Sequence, residues 1–415
     1  MVKKEKNRTL SAIDVGTSKV TTLISEFGED GGIKICGVGV APTNGMKKGL
    51  VIDLDKVTQS IHSSVDAAEK MADRMIVSAY VGISGDHIGT SEQRGMTNIN
   101  DPERGVTRDD MKRAVAASKC LLLPPQKQMM DVIQQGYLVD GHGGIDDPEG
   151  MSGNRLEVDT LIVTGSTAMA QNLTRCIMKL DISIDSMILS PLASGMAVLN
   201  DDEKEIGTIL IDFGAGTTEV AVFHGNRIRK ARVFPVGSNH INNDIAIVLG
   251  TSPKEAERLK LEYGKAYVDE QVGSEPVEIE HVSGEKQTKI TRAMLCEVIS
   301  ARVYELIKMV RHDLETDLPI SVVPAGIVIT GGGSKLSGFG SVVEEVLNMS
   351  ARIGEPIYSG EMSEKLQGPE YAAAFGILRC AARQITLGSF SASGDSSPLR
   401  SWYDSVANIF RGMFK

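Results

Sequence analysis

Between Leu10 and Ile24 apolar and polar residues alternate on either side of Asp14-Val15-Gly16-Thr17, the pattern of a strand, a tight turn and a returning strand. A third strand is expected near Ile33 to Val40. Leu54 to Met71 then switches to helical spacing, with Val57, Ile61, Val65, Ala68 and Met71 on one face. Strand character returns from Met75 to Ile83 and stops at Ser84-Gly85. Over about 86–166 the texture changes to short polar strands, one helix opening at Thr107 with Asp109 and Asp110 in its first turn, and a loop at 140–153 rich in Gly and Asp. A strand, helix, strand, strand order interrupting a longer pattern reads as an inserted subdomain. The interrupted pattern resumes with a helix over Ala168 to Leu180, a strand over Ser186 to Leu189 and a helix of small residues over Pro191 to Leu199.

The second half repeats the plan. Ile209 to Phe223 again reads as strand, Asp-x-Gly turn and strand, followed by a strand over Ile228 to Val236 and helical segments to Gly264. A variable stretch around Glu275 to Lys289 precedes a long amphipathic helix from about Thr291 to Leu314. Ile327 to Thr330 is a buried strand running into Gly331-Gly332-Gly333-Ser334, and another helix opens near Phe339. From Gly388 to Pro398 the residues are mostly Ser, Gly and Asp, the composition of a flexible linker. Beyond it, Trp402, Val406, Ile409, Phe410 and Met413 form one apolar helical stripe with Phe414 beside it, flanked by Arg400, Arg411 and Lys415. A tethered stripe of this kind fits an amphipathic helix lying in the headgroup plane of a membrane.

Charge and composition narrow the function. A net charge of −10 among 415 residues argues against nucleic acid, whose backbone is bound through clustered Lys and Arg. The five cysteines are scattered without metal or CxxC spacing, as reduced buried thiols would be. His62, His87 and His142 show no ligand spacing either, and the 18 methionines fit core filling. The basic start has no apolar stretch of signal-peptide length and no window reaches a membrane span, so the expectation is a protein neither secreted nor integral.

The two Asp-x-Gly turns, at 13–18 and 211–218, carry the candidate chemistry. A glycine turn between strands exposes backbone N–H groups, and adjacent hydroxyls add donors, which together can cradle phosphate oxygens. Gly16, Thr17 and Ser18 supply these in the first turn, and Gly214, Gly216, Thr217 and Thr218 in the second. Asp14 and Asp212 would face a magnesium ion through water. An isolated turn of this type is ordinarily just a hairpin. The order of the whole set is more specific: first turn, small-residue helix, second turn, glycine turn after a strand, then Tyr371 to Gly376.

In that order the motifs resemble the phosphate 1, connect 1, phosphate 2, adenosine and connect 2 motifs of the actin-like superfamily, which includes actin, MreB, heat-shock chaperones and sugar kinases. The resemblance implies an α/β fold of two related RNase H-like domains clasping ATP and Mg2+, hinged at the small-residue helices. It implies that Gly331, Gly332, Gly333 and Ser334 pass beside the adenosine and that Glu257 and Lys260 lie along base and ribose, where the plainer alternative is an i, i+3 surface ion pair. Many relatives begin connect 1 with a side chain that orients the attacking water. Here that position is Ser190, which implies nucleotide binding with slow hydrolysis.

Within the superfamily, the insert resembles subdomain 1C of the FtsA family of bacterial cell-division proteins, shared with PilM of pilus assembly, and the tail resembles the FtsA membrane-targeting helix. The implied organisation is domain 1A at 1–85 and 167–205, subdomain 1C at 86–166, domain 2A at 206–249 and 319–387, subdomain 2B at 250–318, a linker at 388–398 and the amphipathic helix at 399–415. The implied role is a polymerising protein that tethers FtsZ filaments, by the FtsZ C-terminal tail docked on 2B, to the anionic cytoplasmic face of the cell membrane at the division site, and recruits later division proteins. A PilM-like pilus scaffold is the alternative. A kinase would need a further catalytic carboxylate in the cleft, and none is evident beyond Asp14 and Asp212; a chaperone would need a further substrate domain.

Overall fold

Two five-stranded sheets with the same wiring form the frame of the computed structural model, which describes residues 8–28, 32–268, 273, 275–282, 288–317, 323–358 and 366–386. In chain order the first half contains β1 (Arg8–Val15), β2 (Lys19–Phe27), β3 (Ile33–Pro42), the small hairpin β4 (Met46–Lys47) and β5 (Leu50–Val51), α1 (Leu54–Ala72) and β6 (Ser78–Ile83). The insert follows as β7 (Gly89–Asn98), α2 (Arg108–Ser118), β8 (Lys127–Val139), β9 (His142–Ile145) and β10 (Arg155–Ser166). Then come α3 (Thr167–Met178), β11 (Ser183–Leu189), α4 (Ser190–Val198) and α5 (Asp201–Ile206). The second half contains β12 (Thr208–Phe213), β13 (Thr218–His224), β14 (Arg227–Phe234), α6 (Ser238–Leu249), α7 (Pro253–Tyr263), β15 (Pro276–Ile279), β16 (Thr288–Thr291), α8 (Arg292–Asp317), β17 (Ile327–Thr330), α9 (Phe339–Leu347), β18 (Ala351–Ile353) and α10 (Ala372–Thr386).

The first sheet has the order β11-β6-β1-β2-β3 and the second β14-β13-β12-β17-β18. In each, three consecutive antiparallel strands are extended by two parallel ones. The central strands are buried on both faces, as sheets covered by helices on either side require. On the outer face of the first sheet α1 lays Val57, Ile61, Val65 and Ala68 over the strands. Its start is fixed by Asp53, whose Oδ1 accepts the Lys56 N–H at 3.1 Å. The helix can sit so low because β3 carries glycine beneath it: a Cβ at Gly39 would overlap the Ser64 carbonyl.

The insert is a four-stranded antiparallel sheet, β7-β10-β8-β9, covered by α2. Thr107 and Asp110 cap α2 reciprocally, as the first-turn acids anticipate. The stretch expected as a loop at 140–153 contains β9, because Asp140 (φ +49°) and Gly141 (φ +85°) both take the left-handed conformations that close a two-residue hairpin. The insert also touches the second half: Thr90 Oγ1 donates to the Ala231 carbonyl at 3.0 Å, and Arg227 pairs with Asp146 at 2.6 Å.

The halves meet where α10 crosses α4. Gly376 lies against the Ala193 carbonyl, and Gly195 against the Phe223 ring, so small residues let these helices and β13 approach closely. The linker and terminal stripe, including Trp402, Val406, Ile409, Phe410, Arg411, Met413, Phe414 and Lys415, lie outside the described residues.

Candidate nucleotide-binding site

The two Asp-x-Gly turns are built alike. Gly16 N donates to the Lys19 carbonyl at 3.0 Å, and Gly214 N to the Thr217 carbonyl at 3.0 Å. They face each other across a cleft of about 360 Å3. At their nearest approach a Cβ on Gly216 would overlap the Thr17 side chain. Thr17 Oγ1 in turn accepts the Gly49 N–H at 3.1 Å, fastening the β4–β5 hairpin to the first turn. The floor is closed by Gly331 at the end of β17, whose left-handed φ of +83° places it against the Asp212 carboxyl and Phe213 carbonyl. Gly333 lies on the Phe213 ring, which stacks on Phe339 at 4.5 Å.

Asp14, Gly16, Thr17, Ser18, Asp212, Gly214, Gly216, Thr217, Glu257, Lys260, Gly331, Gly332 and Gly333 all line this cleft. Ser190 lines it too, with its Oγ close to Gly82 as is Asp14 Oδ1. Two predicted hydroxyls point elsewhere. Thr218 is buried in β13 and donates to the Val236 carbonyl at 2.7 Å; Ser334 donates to the Gly331 carbonyl at 2.6 Å and so holds the glycine turn shut. Glu257 and Lys260 make no ion pair with each other; Ser252 caps their helix, and Lys260 is buried against the cleft wall. Burial pulls the Lys260 ammonium below its usual range, opposed by the Glu257 charge. His87 also lines the cleft, its Nδ1 accepting the Ser166 N–H at 3.3 Å.

Sequence reasoning passed over a third cleft carboxylate. Glu219 is the register partner of Asp212 across the β12–β13 hairpin, so the two project from the same face. That signal was available in the spacing Asp212-x6-Glu219 around the turn. Ser84 Oγ donates to Glu219 Oε1, while Oε2 is buried with no hydrogen-bond partner among the described residues. Lys19, Lys335 and Glu370 were passed over as well. Lys19 sits 3.7 Å above the Tyr371 ring, and Lys335 pairs with Glu370 at 2.5 Å.

Burial dominates the electrostatics. It pushes Asp14 up to about 6, helped by the Asp212 charge and opposed by Lys19. It pushes Asp212 to about 6 although Ser194 Oγ donates to its Oδ2 at 2.6 Å. It raises Glu219 well above the ordinary carboxylate range, with the Asp212 charge adding to the effect. Among the described residues no three His, Cys, Asp or Glu side chains form a ready-made metal cage. A hydrated cation nevertheless fits: Asp14, Asp212, Glu219 with its orphaned Oε2, Glu257 and Glu370 line the cleft against only the lysines Lys19, Lys260 and Lys335 among the described residues.

A pH dependence follows. In the free protein Asp14 and Asp212 hold protons that the unfolded chain would release between pH of about 4 and 6, so their contribution to stability falls as pH rises through that window and levels off above it. The thermal midpoint of the nucleotide-free protein should therefore decline less steeply over pH 4–6.5 in Asp14→Asn than in the wild type, and Mg2+ should raise it more at pH 7.5 than at pH 5. Equal slopes in the two proteins would contradict the assignment.

Two halves of identical wiring, meeting where small-residue helices cross and facing each other through twin Asp-x-Gly turns, define a two-domain protein of the actin-like class. In solved structures the fold is similar to a chain of the PilM-PilN type IV pilus biogenesis complex (TM-score 0.64, 16% identity, 91% of this chain and 99% of that one). It is similar also to MreB5 of Spiroplasma citri bound to ADP (TM-score 0.57, 13% identity, 92% and 99%). At these identities the likeness is one of fold.

The sequence goes further. A family model described as cell division protein FtsA matches residues 209–376, and one described as the SHS2 domain inserted in FTSA matches 85–164. The cell division protein FtsA of Neisseria meningitidis serogroup B is 36% identical over 381 residues, covering 92% of each chain. That of Escherichia coli K12 is 34% identical over 385 residues, covering 91% of each. The chain belongs to the FtsA family of cell division proteins.

Proposed function

We propose that this cell-division protein binds ATP with Mg2+ between its two halves, polymerises, and tethers FtsZ filaments to the cytoplasmic face of the cell membrane at the division site, where it recruits later division proteins. The observation that carries the nucleotide reading is the pair of like-built glycine turns meeting at Thr17 and Gly216, with Asp14, Asp212 and the orphaned Glu219 oxygen behind them. Phosphate oxygens would take the turn amides and hydroxyls, Lys19 would supply a countercharge, and the carboxylates would hold water molecules of a magnesium ion that screens the phosphates.

Hydrolysis in this reading is slow. Ser190 is a weak orienter of water, and burial together with the Asp212 charge pushes the Glu219 carboxyl well above its ordinary range, which favours its proton-holding form over a base. ATP then acts chiefly as a ligand that holds the two halves together. The region of α7, β15, β16 and α8 is the proposed dock for the FtsZ tail, and residues 399–415 the proposed membrane anchor. Among the described residues no helix is long and apolar enough to cross a membrane, so the reading is of a peripheral attachment. One short helix binds lipid weakly, and many on one polymer bind strongly through effective concentration.

Sedimentation with anionic liposomes tests this. The full chain should pellet, at least several-fold more with Mg-ATP than without, and a chain ending at Pro398 should stay in the supernatant. Pelleting by both chains, or by neither, would overturn the tethering role.

A further inference from the structure

Beside the nucleotide cleft lies a second cavity, of about 480 Å3, that the nucleotide reading does not use. It is continuous with the cleft, since Thr17, Gly216 and Glu257 line both. Its walls come from both halves: Lys47 and Lys48 from the β4–β5 hairpin, and Asn242, His240 and Lys254 from α6 and α7. Among the described residues none of the three lysines makes an ion pair, and Glu257 is the only carboxylate in the lining. Three lysines in the lining of one cavity favour an anion.

The lysines are placed there by backbone geometry. Lys48 holds a left-handed φ of +52° followed by Gly49 at +77°, the two-residue hairpin turn ordinarily given to Asn and Gly. A lysine in that conformation costs about 1 kcal/mol, so the turn sacrifices some stability to present it. A second, independent feature points to a ligand. Asn242 is 7% exposed, lines the cavity, and its Oδ1 is buried with no hydrogen-bond partner among the described residues.

The first amides of α6 are not the donors, because Ser238 N and Asn239 N already bond the Gly214 and Ala215 carbonyls at 2.9 and 2.8 Å. Those bonds have another effect: they fasten the α6 wall to the second phosphate turn, as Gly49 fastens the hairpin wall to the first. Any ligand bridging the walls therefore bridges the two turns.

We propose that this annex is an accessory phosphate site that binds inorganic phosphate alongside a nucleotide diphosphate and, by joining Lys47 and Lys48 to Lys254, holds the halves closed. Hydrogen phosphate matches the lining: its charged oxygens accept from the ammoniums, and its one hydroxyl donates to Asn242 Oδ1. The same chemistry could come from free phosphate or from the terminal phosphate of the bound nucleotide. The inference rests on the nucleotide reading for the identity of its neighbour.

The test is calorimetric titration of orthophosphate into the full chain, nucleotide-free and saturated with Mg-ADP, for the wild type, Lys48→Ala, Lys254→Ala and Lys254→Arg. The expected result is one phosphate per chain in the Mg-ADP form, about tenfold weaker binding in each alanine variant from the loss of a charge-assisted hydrogen bond, near wild-type binding in Lys254→Arg, and ADP affinity within about twofold throughout. No phosphate binding by the Mg-ADP form, or unchanged phosphate affinity in both alanine variants, would overturn the proposal. So would a parallel loss of ADP and phosphate affinity, since the lysines would then serve the nucleotide's own phosphates. If the wild type fails to bind ADP at all, the nucleotide reading falls, and the nucleotide-free titration decides the phosphate site alone.

Discussion

Replacing Gly376 by alanine should cost about 3 kcal/mol or more and lower the thermal midpoint by at least about 5 °C, a large effect for one methyl group. At this position α10 crosses α4, and a Cβ on Gly376 would overlap the carbonyl oxygen and carbon of Ala193. Both sides of the contact are backbone, so no rotamer change can relieve it and one helix must move. Since β1, β2 and β6 also pack on α10, the displacement would spread into the sheet that carries Asp14. Nucleotide affinity should fall with stability. A matched control separates this from a general penalty for adding a methyl group. Gly340, in the first turn of α9, has nothing closer than 4.0 Å to a built Cβ and no left-handed φ. Gly340→Ala should be neutral or stabilising by about 0.5–1 kcal/mol, because alanine restricts the unfolded chain more than glycine does. Thermal melts of the two variants check both statements.

Asp212→Ala should weaken Mg-ATP binding by about 10- to 100-fold while leaving binding of ATP in the presence of a chelator nearly unchanged. Asp212 is half-buried at the cleft, holds only the Ser194 hydroxyl among the described residues, and raises its neighbours Asp14 and Glu219 by its charge. Its removal takes away attraction for the cation and at the same time relieves repulsion among the remaining carboxylates. Asp14 and Glu219 should then titrate closer to their ordinary range, and the nucleotide-free protein should be more stable near neutral pH. Loss of metal dependence with gain of free-state stability distinguishes a cation site from a merely structural aspartate, whose removal would only destabilise.

What could be read from the sequence was what is local. Alternation around Asp14 and Asp212 located both hairpins because each strand, turn and partner lies within some fifteen residues, and the small-residue runs at Pro191–Leu199 and Tyr371–Gly376 marked the helices that cross. The helix start at Thr107 followed from the first-turn acids Asp109 and Asp110, and that at Leu54 from apolar spacing. What escaped depends on register or on distant packing. Glu219 faces the cleft because the tight turn pairs it with Asp212, whereas Thr218, one residue earlier, points away to Val236, the inversion that a one-residue step along a strand always brings. Lys19 and Tyr371 are far apart in sequence and meet only when α10 folds back beside the first turn. The clasp between Thr90 and Ala231 joins an edge of the insert to an edge of the second sheet and has no local signature. The β9 strand hid in a glycine-rich stretch because its pairing is set by the Asp140-Gly141 turn rather than by apolar alternation.

Calorimetric titration of Mg-ATP into the wild-type chain and Asp212→Ala decides whether twin turns from the two halves bind one nucleotide through a cation between the cleft carboxylates. One nucleotide should bind per wild-type chain, and the variant should show weaker, metal-insensitive binding. Absence of binding by the folded wild type, or equal Mg-ATP affinity in the two proteins, would contradict it.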